Sequence, residues 1–293
     1  MENKVKIFCS KDWQDYKLLD TGEGEKLEQF GQYSFIRPYE DAFWRKNKKE
    51  KWNKADGKFW SSKEGAKSGW KMENEIFPKW EMSYKGIKFF SSPTPFRHLG
   101  FFPEQAAHWD FIEGKIKSSK RKIKFLNLFG YTGVASLFAL RAGAEVTHLD
   151  ASKQSLNWAK ENQELSGLGK MPMRVICDDA VKFLEREEKR GNKYDAIIMD
   201  PPKFGRGPKG ETWKIEKDLP ELLAKARKVL SDRPLFVILT SYAVDSFSLP
   251  LGYALEETMR DFKGKVEAGE LCLMEESNGR LIPLANTAVW QTL

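Results

Sequence analysis

The sequence predicts an α/β protein: a doubly wound, mostly parallel sheet of seven strands closing in a C-terminal antiparallel hairpin, preceded by a small β-rich domain. Three observations lead there. From Ile123 onward, short apolar runs alternate with segments of helical periodicity, the pattern of successive βαβ units. Clusters of Gly, Asp and Pro fall just after those runs, where such a sheet turns toward its helices. The N-terminal third differs in texture: six of the ten tryptophans lie in the first 80 residues, among short apolar alternations.

The small domain is read over residues 1–93, on alternations such as Tyr33-Ser-Phe-Ile-Arg37 and Ile87-Lys-Phe-Phe90 with frequent Gly and Lys. Ser91-Ser-Pro-Thr-Pro95 is the connector, because two prolines so close cannot continue a helix and favour an extended path. The second domain is read over residues 94–293. Its strands fall at 123–129, 145–149, 173–177, 194–199 and 235–240, and its helices at 134–141, 153–165, 180–190 and 219–230. Two further strands, 269–275 and 283–290, flank Ser277-Asn-Gly-Arg280, an Asn-Gly turn signal that makes them a hairpin.

With 293 residues, 41% of them apolar and 31% charged, the chain buries a sizeable core under a charged surface. The longest apolar run, residues 235–239, is far too short to span a bilayer, and the N-terminus has no apolar signal core, so a cytoplasmic protein without a membrane is expected. Three scattered cysteines form no CxxC pair, and the odd count speaks against a disulfide framework. The three histidines have no partner at zinc-ligand spacing, so no metal is expected. The net charge is +7, and residues 44–71 carry ten Lys and Arg against three acids, an excess equal to that of the whole chain. Interleaved with Trp44, Trp52, Phe59, Trp60 and Trp70, that segment suits a looped RNA held by charge and stacking. For any one of these tryptophans the core of the small domain is the favoured place, whereas the charge as a whole is read as functional.

The chemistry is concentrated at strand ends. The first strand of the second domain runs into Asn127-Leu-Phe-Gly-Tyr-Thr-Gly133, a glycine turn of nucleotide-binding type that satisfies neither GxGxxG nor GxxxxGK[ST]. Asp150, ending the next strand, can accept both hydroxyls of a ribose, and together the two features indicate an adenosine-like ligand. Taken alone, Asp150 serves equally well as the N-cap of the following helix, in competition with Ser152. Asp178-Asp179 closes the third strand and Asp200-Pro201-Pro202-Lys203-Phe204 the fourth. The two prolines fix an extended path, leave the carbonyls without partners and make Phe204 project, where it can stack on a base while Asp200 accepts from an amino group.

In order and spacing these four motifs resemble those of class I S-adenosylmethionine-dependent methyltransferases. More narrowly, they are similar to the bacterial group that methylates bases of large-subunit ribosomal RNA. Gly100-Phe-Phe-Pro-Glu-Gln-Ala-Ala-His-Trp109 resembles the segment that this group carries ahead of its first motif, and residues 18–31 resemble the small N-terminal domain of an uncharacterised branch. The resemblance implies a Rossmann-like fold, S-adenosylmethionine as cofactor and ribosomal RNA as partner. It implies that Gly130 and Gly133 pass the methionyl group and ribose, Asp150 holds the ribose hydroxyls, and Asp178 and Asp179 bond the adenine amino group. Gln105, Asn127, Phe129, Thr132, Ala151 and Ser152 complete the implied cofactor set. It implies that Asp200, Pro201, Pro202, Lys203 and Phe204 face methyl donor and base, with Asp200 also touching the cofactor. One departure matters. Pyrimidine C5 methylation needs a cysteine after the fourth or fifth strand, and here those places read Asp200-Pro-Pro-Lys-Phe204 and Leu239-Thr-Ser-Tyr-Ala243. The expectation is therefore direct transfer to a base without a covalent enzyme intermediate. Transfer to a protein side chain or a small molecule is the alternative.

Overall fold

The structure, a computed structural model, describes residues 5–47, 49–61, 68–242 and 247–293. Lys48, residues 62–67 of the basic segment and Ala243 lie outside the described residues. Two compact units divide the chain: Met1–Phe8, Ala107–Leu271 and Pro283–Leu293 form one, Cys9–Ala106 and Cys272–Ile282 the other.

In the second of these units, β2 (Tyr16–Gly22), β3 (Glu25–Phe30), β4 (Tyr33–Pro38), β5 (Gly57–Ser61) and β6 (Ser68–Met72) form a five-stranded sheet in that order. The short helix α1 (Lys49–Trp52) precedes β5, and β7 (Trp80–Tyr84) and β8 (Ile87–Ser91) make a separate ribbon. Aromatic rings fill the core, with Phe30, Phe89 and Phe101 buried and Trp13 in ring contact with Tyr16, Tyr84 and Phe101. A charged group is buried among them. Glu28 takes two hydrogen bonds from Arg37, at 2.6 and 2.7 Å, and one from the Tyr16 hydroxyl at 2.8 Å. Such a set is tolerable inside a protein because the buried charge is paired with a guanidinium and each carboxylate oxygen finds a donor.

The other unit is built on an eight-stranded sheet. β1 (Lys6–Cys9) lies at one edge, followed by β16 (Gly264–Met274), β17 (Leu281–Thr292), β15 (Phe236–Ser241), β12 (Ala196–Met199), β9 (Lys124–Leu128), β10 (Glu145–Asp150) and β11 (Met173–Cys177). The seven predicted strands are all present. The eighth, β1, joins where Gly269 lets another backbone approach: a Cβ there would stand 1.8 Å from the Lys6 carbonyl oxygen. β9 runs parallel to β10 and β12, β10 to β11, and β12 to β15, while β15 and β17 are antiparallel.

The central strands are buried along their length because helices cover both faces. Leu126, Leu128, Ile197, Met199, Val237 and Leu239 pack with α5 (Ala180–Lys189), α6 (Ile215–Lys228) and α7 (Ser248–Met259). Phe125, Ile198, Phe236 and Ile238 alternate with them and pack with α2 (Ala106–Ser118) and α3 (Val134–Arg141). Alternation of side chains along each strand thus supplies two cores from one sheet. α4 (Lys153–Leu165) connects β10 to β11, and a small ribbon, β13 (Phe204–Arg206) with β14 (Thr212–Lys214), stands between β12 and α6. Parallel register brings Leu128, Asp150, Cys177, Met199 and Ser241 to one edge of the sheet. Among the described residues no helix is long and apolar enough to cross a membrane, and no group of three His, Cys, Asp or Glu is placed to hold a metal.

Candidate active site

Beyond β9 the chain turns sharply. Phe129 and Tyr131 have positive φ, 61° and 52°, and Gly133 has 85°, in the left-handed region that costs side-chain-bearing residues energy. Gly130 donates to the Leu149 carbonyl at 2.8 Å, which pins the turn to the neighbouring strand. A Cβ at Gly130 would lie 2.3 Å from Cε1 of His148, so only glycine lets the turn rest on that imidazole. His148 is fully buried, and burial holds it at about 4, so it is neutral. Its Nδ1 lies 3.0 Å from the Ser136 hydroxyl, which also receives the Asn127 amide at 2.9 Å. Asn127 and Thr132 are buried beneath the turn, and the Thr132 carbonyl accepts from Asn162 at 2.9 Å.

Asp150 ends β10 half-buried. Its carboxylate accepts the Tyr131 N–H and the Ser152 N–H, at 2.9 and 2.8 Å, joining the glycine turn to the next loop. Burial raises its pKa, and these backbone donors only partly offset the effect. The cap of α4 is Ser152, whose hydroxyl accepts the Ser155 N–H at 3.2 Å, so Asp150 does not fill that role. Asp179 caps α5 through the Lys182 N–H at 3.0 Å. Asp178 pairs with Arg186 and sits beside β10, donating its own N–H to the Asp150 carbonyl at 3.2 Å. The glycine turn and the two acid-bearing loops after β10 and β11 therefore stand side by side, and the Ala151 carbonyl lies 3.5 Å from the Cys177 thiol.

Asp200 and Pro201 follow β12, and Phe204 projects with 60% of its surface exposed. The carbonyls of this loop are not all without partners, as the sequence suggests they would be. Pro202 accepts the Trp213 indole N–H at 2.6 Å, and Lys203 accepts the Ile215 N–H at 3.1 Å. With no N–H of their own, the prolines leave carbonyls as the handles by which neighbouring chain fastens the loop. Gln105 lies in the other compact unit, buried in the 3₁₀ turn Pro103–Gln105. Cys272 is buried and Cys177 partly so, both within strands.

The basic segment divides. Trp52 and Phe59 are buried, and the Trp52 N–H bonds Asp20 at 2.7 Å. Trp44 donates to the Thr21 carbonyl at 2.9 Å and Trp70 to the Thr94 carbonyl at 2.8 Å. Lys46 and Lys58 both pair with Glu25. Trp60, Lys49, Lys51 and Lys54 remain exposed. Sequence reasoning did not single out His148, Ser136 or Trp213, whose places depend on contacts between distant segments.

The family model for S-adenosylmethionine-dependent methyltransferases matches residues 64–260. A solved structure of an S-adenosylmethionine-dependent methyltransferase from Agrobacterium tumefaciens is 42% identical, covers 98% of this chain and 94% of its own, and superposes with a TM-score of 0.94. Over 148 residues the chain is 34% identical to the ribosomal RNA large subunit methyltransferase K/L of Shewanella frigidimarina, covering 50% of this chain and 20% of that protein. It is 32% identical, also over 148 residues, to the ribosomal RNA large subunit methyltransferase K of Neisseria meningitidis, covering 50% and 41%. The chain thus spans well under two thirds of either curated relative.

Proposed function

The chain belongs to the S-adenosylmethionine-dependent methyltransferases, and on that premise we propose that it methylates a base of large-subunit ribosomal RNA by direct transfer, without a covalent enzyme intermediate. The observation that carries the reading is the alignment of the glycine turn, Asp150, Asp178-Asp179 and the Asp200–Phe204 loop on one edge of a parallel sheet. The partial kinship with ribosomal RNA methyltransferases supports the acceptor. The residues fit the cofactor: a half-buried carboxylate at a strand end, tied to a strained turn, keeps an unfavourable charge where a ligand hydroxyl would relieve it.

Gly130 and Gly133, with Phe129, would form the turn along the methionyl group and ribose. Asp150 would hold the ribose hydroxyls, and Asp178 with Asp179 the adenine edge; Ala151 and Ser152 would line the passage between them. Asn127 and Thr132 would support the turn from below, while for Gln105 a part in cofactor binding is implied by the resemblance alone. When bound, S-adenosylmethionine supplies an activated methyl group. Phe204 would stack on the acceptor base while Asp200 orients its amino or hydroxyl group and Pro201, Pro202 and Lys203 hold that geometry. On this reading residues 94–293 carry the chemistry in the cytoplasm. Residues 1–93 meet the RNA, for which exposed Trp60, Lys49, Lys51 and Lys54 are suited.

Large-subunit RNA from a strain lacking the gene, treated with enzyme and S-adenosylmethionine and digested to nucleosides, tests the mode of transfer. A nucleoside methylated on nitrogen or oxygen is expected. A C5-methylated pyrimidine would contradict direct transfer, since that product requires a cysteine nucleophile.

A further inference from the structure

The ribbon that follows the Asp-Pro-Pro step is fastened to the cofactor loops from two sides. Trp213 of β14 is 7% exposed although its neighbours Thr212 and Lys214 face outward. Its indole N–H donates to the Pro202 carbonyl at 2.6 Å, and its ring centroid lies 5.6 Å from that of Phe129 in the glycine turn. One side chain thereby touches both the strained turn and the acceptor-side loop. Next to it, the Ile215 N–H holds the Lys203 carbonyl at 3.1 Å. Gly205 leaves space for the contact, since a Cβ there would stand 3.2 Å from Pro202 Cγ and 3.7 Å from Trp213 Cβ. At the far end of the ribbon, Glu211 accepts from Lys182 of α5 at 2.6 Å and from the Lys209 N–H at 2.9 Å.

We propose that Trp213 is a positioning residue for methyl transfer, holding the Asp200–Phe204 loop in register with the glycine turn at Phe129. The inference rests on the function proposed above and adds a residue outside the four motifs. The physical case follows from the prolines. Pro201 and Pro202 have no N–H, so at these two positions the backbone can be fastened only by a donor that reaches its carbonyls. A directional N–H fixes the carbonyl, and a flat ring against Phe129 fixes the distance to the turn. Phe129 keeps its positive φ only if its surroundings hold it, and Trp213 is part of those surroundings. Transfer between two bound groups is sensitive to displacements far smaller than a side chain.

Trp213→Phe keeps a ring on Phe129 and removes the donor, so it separates positioning from packing. The Ile215 backbone amide, which donates to the Lys203 carbonyl, should exchange hydrogen about fivefold faster, because losing the neighbouring bond at Pro202 loosens its acceptor. The affinity for S-adenosylhomocysteine, measured by calorimetry, should stay within about twofold of the wild type, since a ring still supports the turn. With RNA from the deficient strain, kcat should fall by at least about tenfold while KM for S-adenosylmethionine is unchanged. Trp213→Ala, which also removes the ring, should in addition weaken S-adenosylhomocysteine binding. Wild-type exchange at Ile215 in the Phe variant would overturn the proposal, as would an equal loss of kcat and cofactor affinity. A wild-type enzyme that transfers nothing to RNA would instead refute the functional reading, and the exchange and affinity results would still decide the role of Trp213.

Discussion

Gly130, in the turn after β9, and Asp150, at the end of β10, answer to different forces. Gly130→Ala forces a methyl group against the His148 ring, 2.3 Å from Cε1, and the buried ring has no room to retreat. The expected cost is about 1–3 kcal/mol, read as a lower melting temperature, together with weaker cofactor binding. Asp150→Ala should separate the two effects. Burial already disfavours the Asp150 carboxylate, so its removal relieves a penalty while it deprives the Tyr131 and Ser152 N–H groups of an acceptor. The melting temperature should change less than in the glycine variant, and S-adenosylmethionine affinity should fall at least about tenfold, as for loss of a hydrogen bond to a charged group. Calorimetric titration of both variants beside their thermal unfolding checks the pair; an Asp150→Ala variant with wild-type affinity would remove Asp150 from the site.

At the level of the elements, α1 offers the sharpest prediction. Lys49→Glu and Lys51→Glu change exposed charges on α1, and with Lys54→Glu just beyond it they should weaken RNA binding and flatten its dependence on salt. Lys46→Glu is a poor probe, because it reverses the pair with Glu25 and removes the ammonium that lies 4.2 Å from the Trp52 ring. A filter-binding titration at several salt concentrations decides, and an unaltered slope in the triple variant would make α1 an ordinary solvated surface. The helices that begin at Val134, Lys153 and Ala180 were legible because Gly133, Ser152 and Asp179 mark their starts in the sequence. α6 was less so. Pro220 suggests a start at residue 219, but the helix begins at Ile215, which is buried, and Asp218 accepts the Lys214 N–H at 2.7 Å. β1 is four residues long and pairs only because Gly269 admits it, a condition that no periodicity carries. The acids of the candidate site were visible because each ends an apolar run. His148 and Trp213 were not, since His148 reads as one more strand residue and Trp213 gains its role from a proline eleven residues earlier.

Over the whole molecule, acid should weaken the fold in two stages. His108 and His148 are buried neutral, held by burial at about 3 and about 4 against an ordinary 6.5. The unfolded chain therefore takes up protons first, and stability that is complete above about pH 6.5 should decline as the pH falls below it. Burial alone would raise the Glu28 carboxyl, but Arg37 and Lys26 outweigh it and hold the group at about 2, so its contribution is present above its ordinary 4.5 and fades below. Urea midpoints at about pH 7.5, 5.5 and 4 should fall at each step, and a midpoint constant down to about pH 5 would contradict the buried neutral imidazoles. Methyl transfer to RNA is tested directly by purified protein incubated with tritiated S-adenosylmethionine and either total RNA from a strain lacking the gene, RNA from the parent strain, or a protein extract. Label is expected in large-subunit ribosomal RNA of the deficient strain and little in that of the parent, whose sites are already methylated. Label confined to the protein extract, or equal label in both RNA samples, would contradict the proposed function.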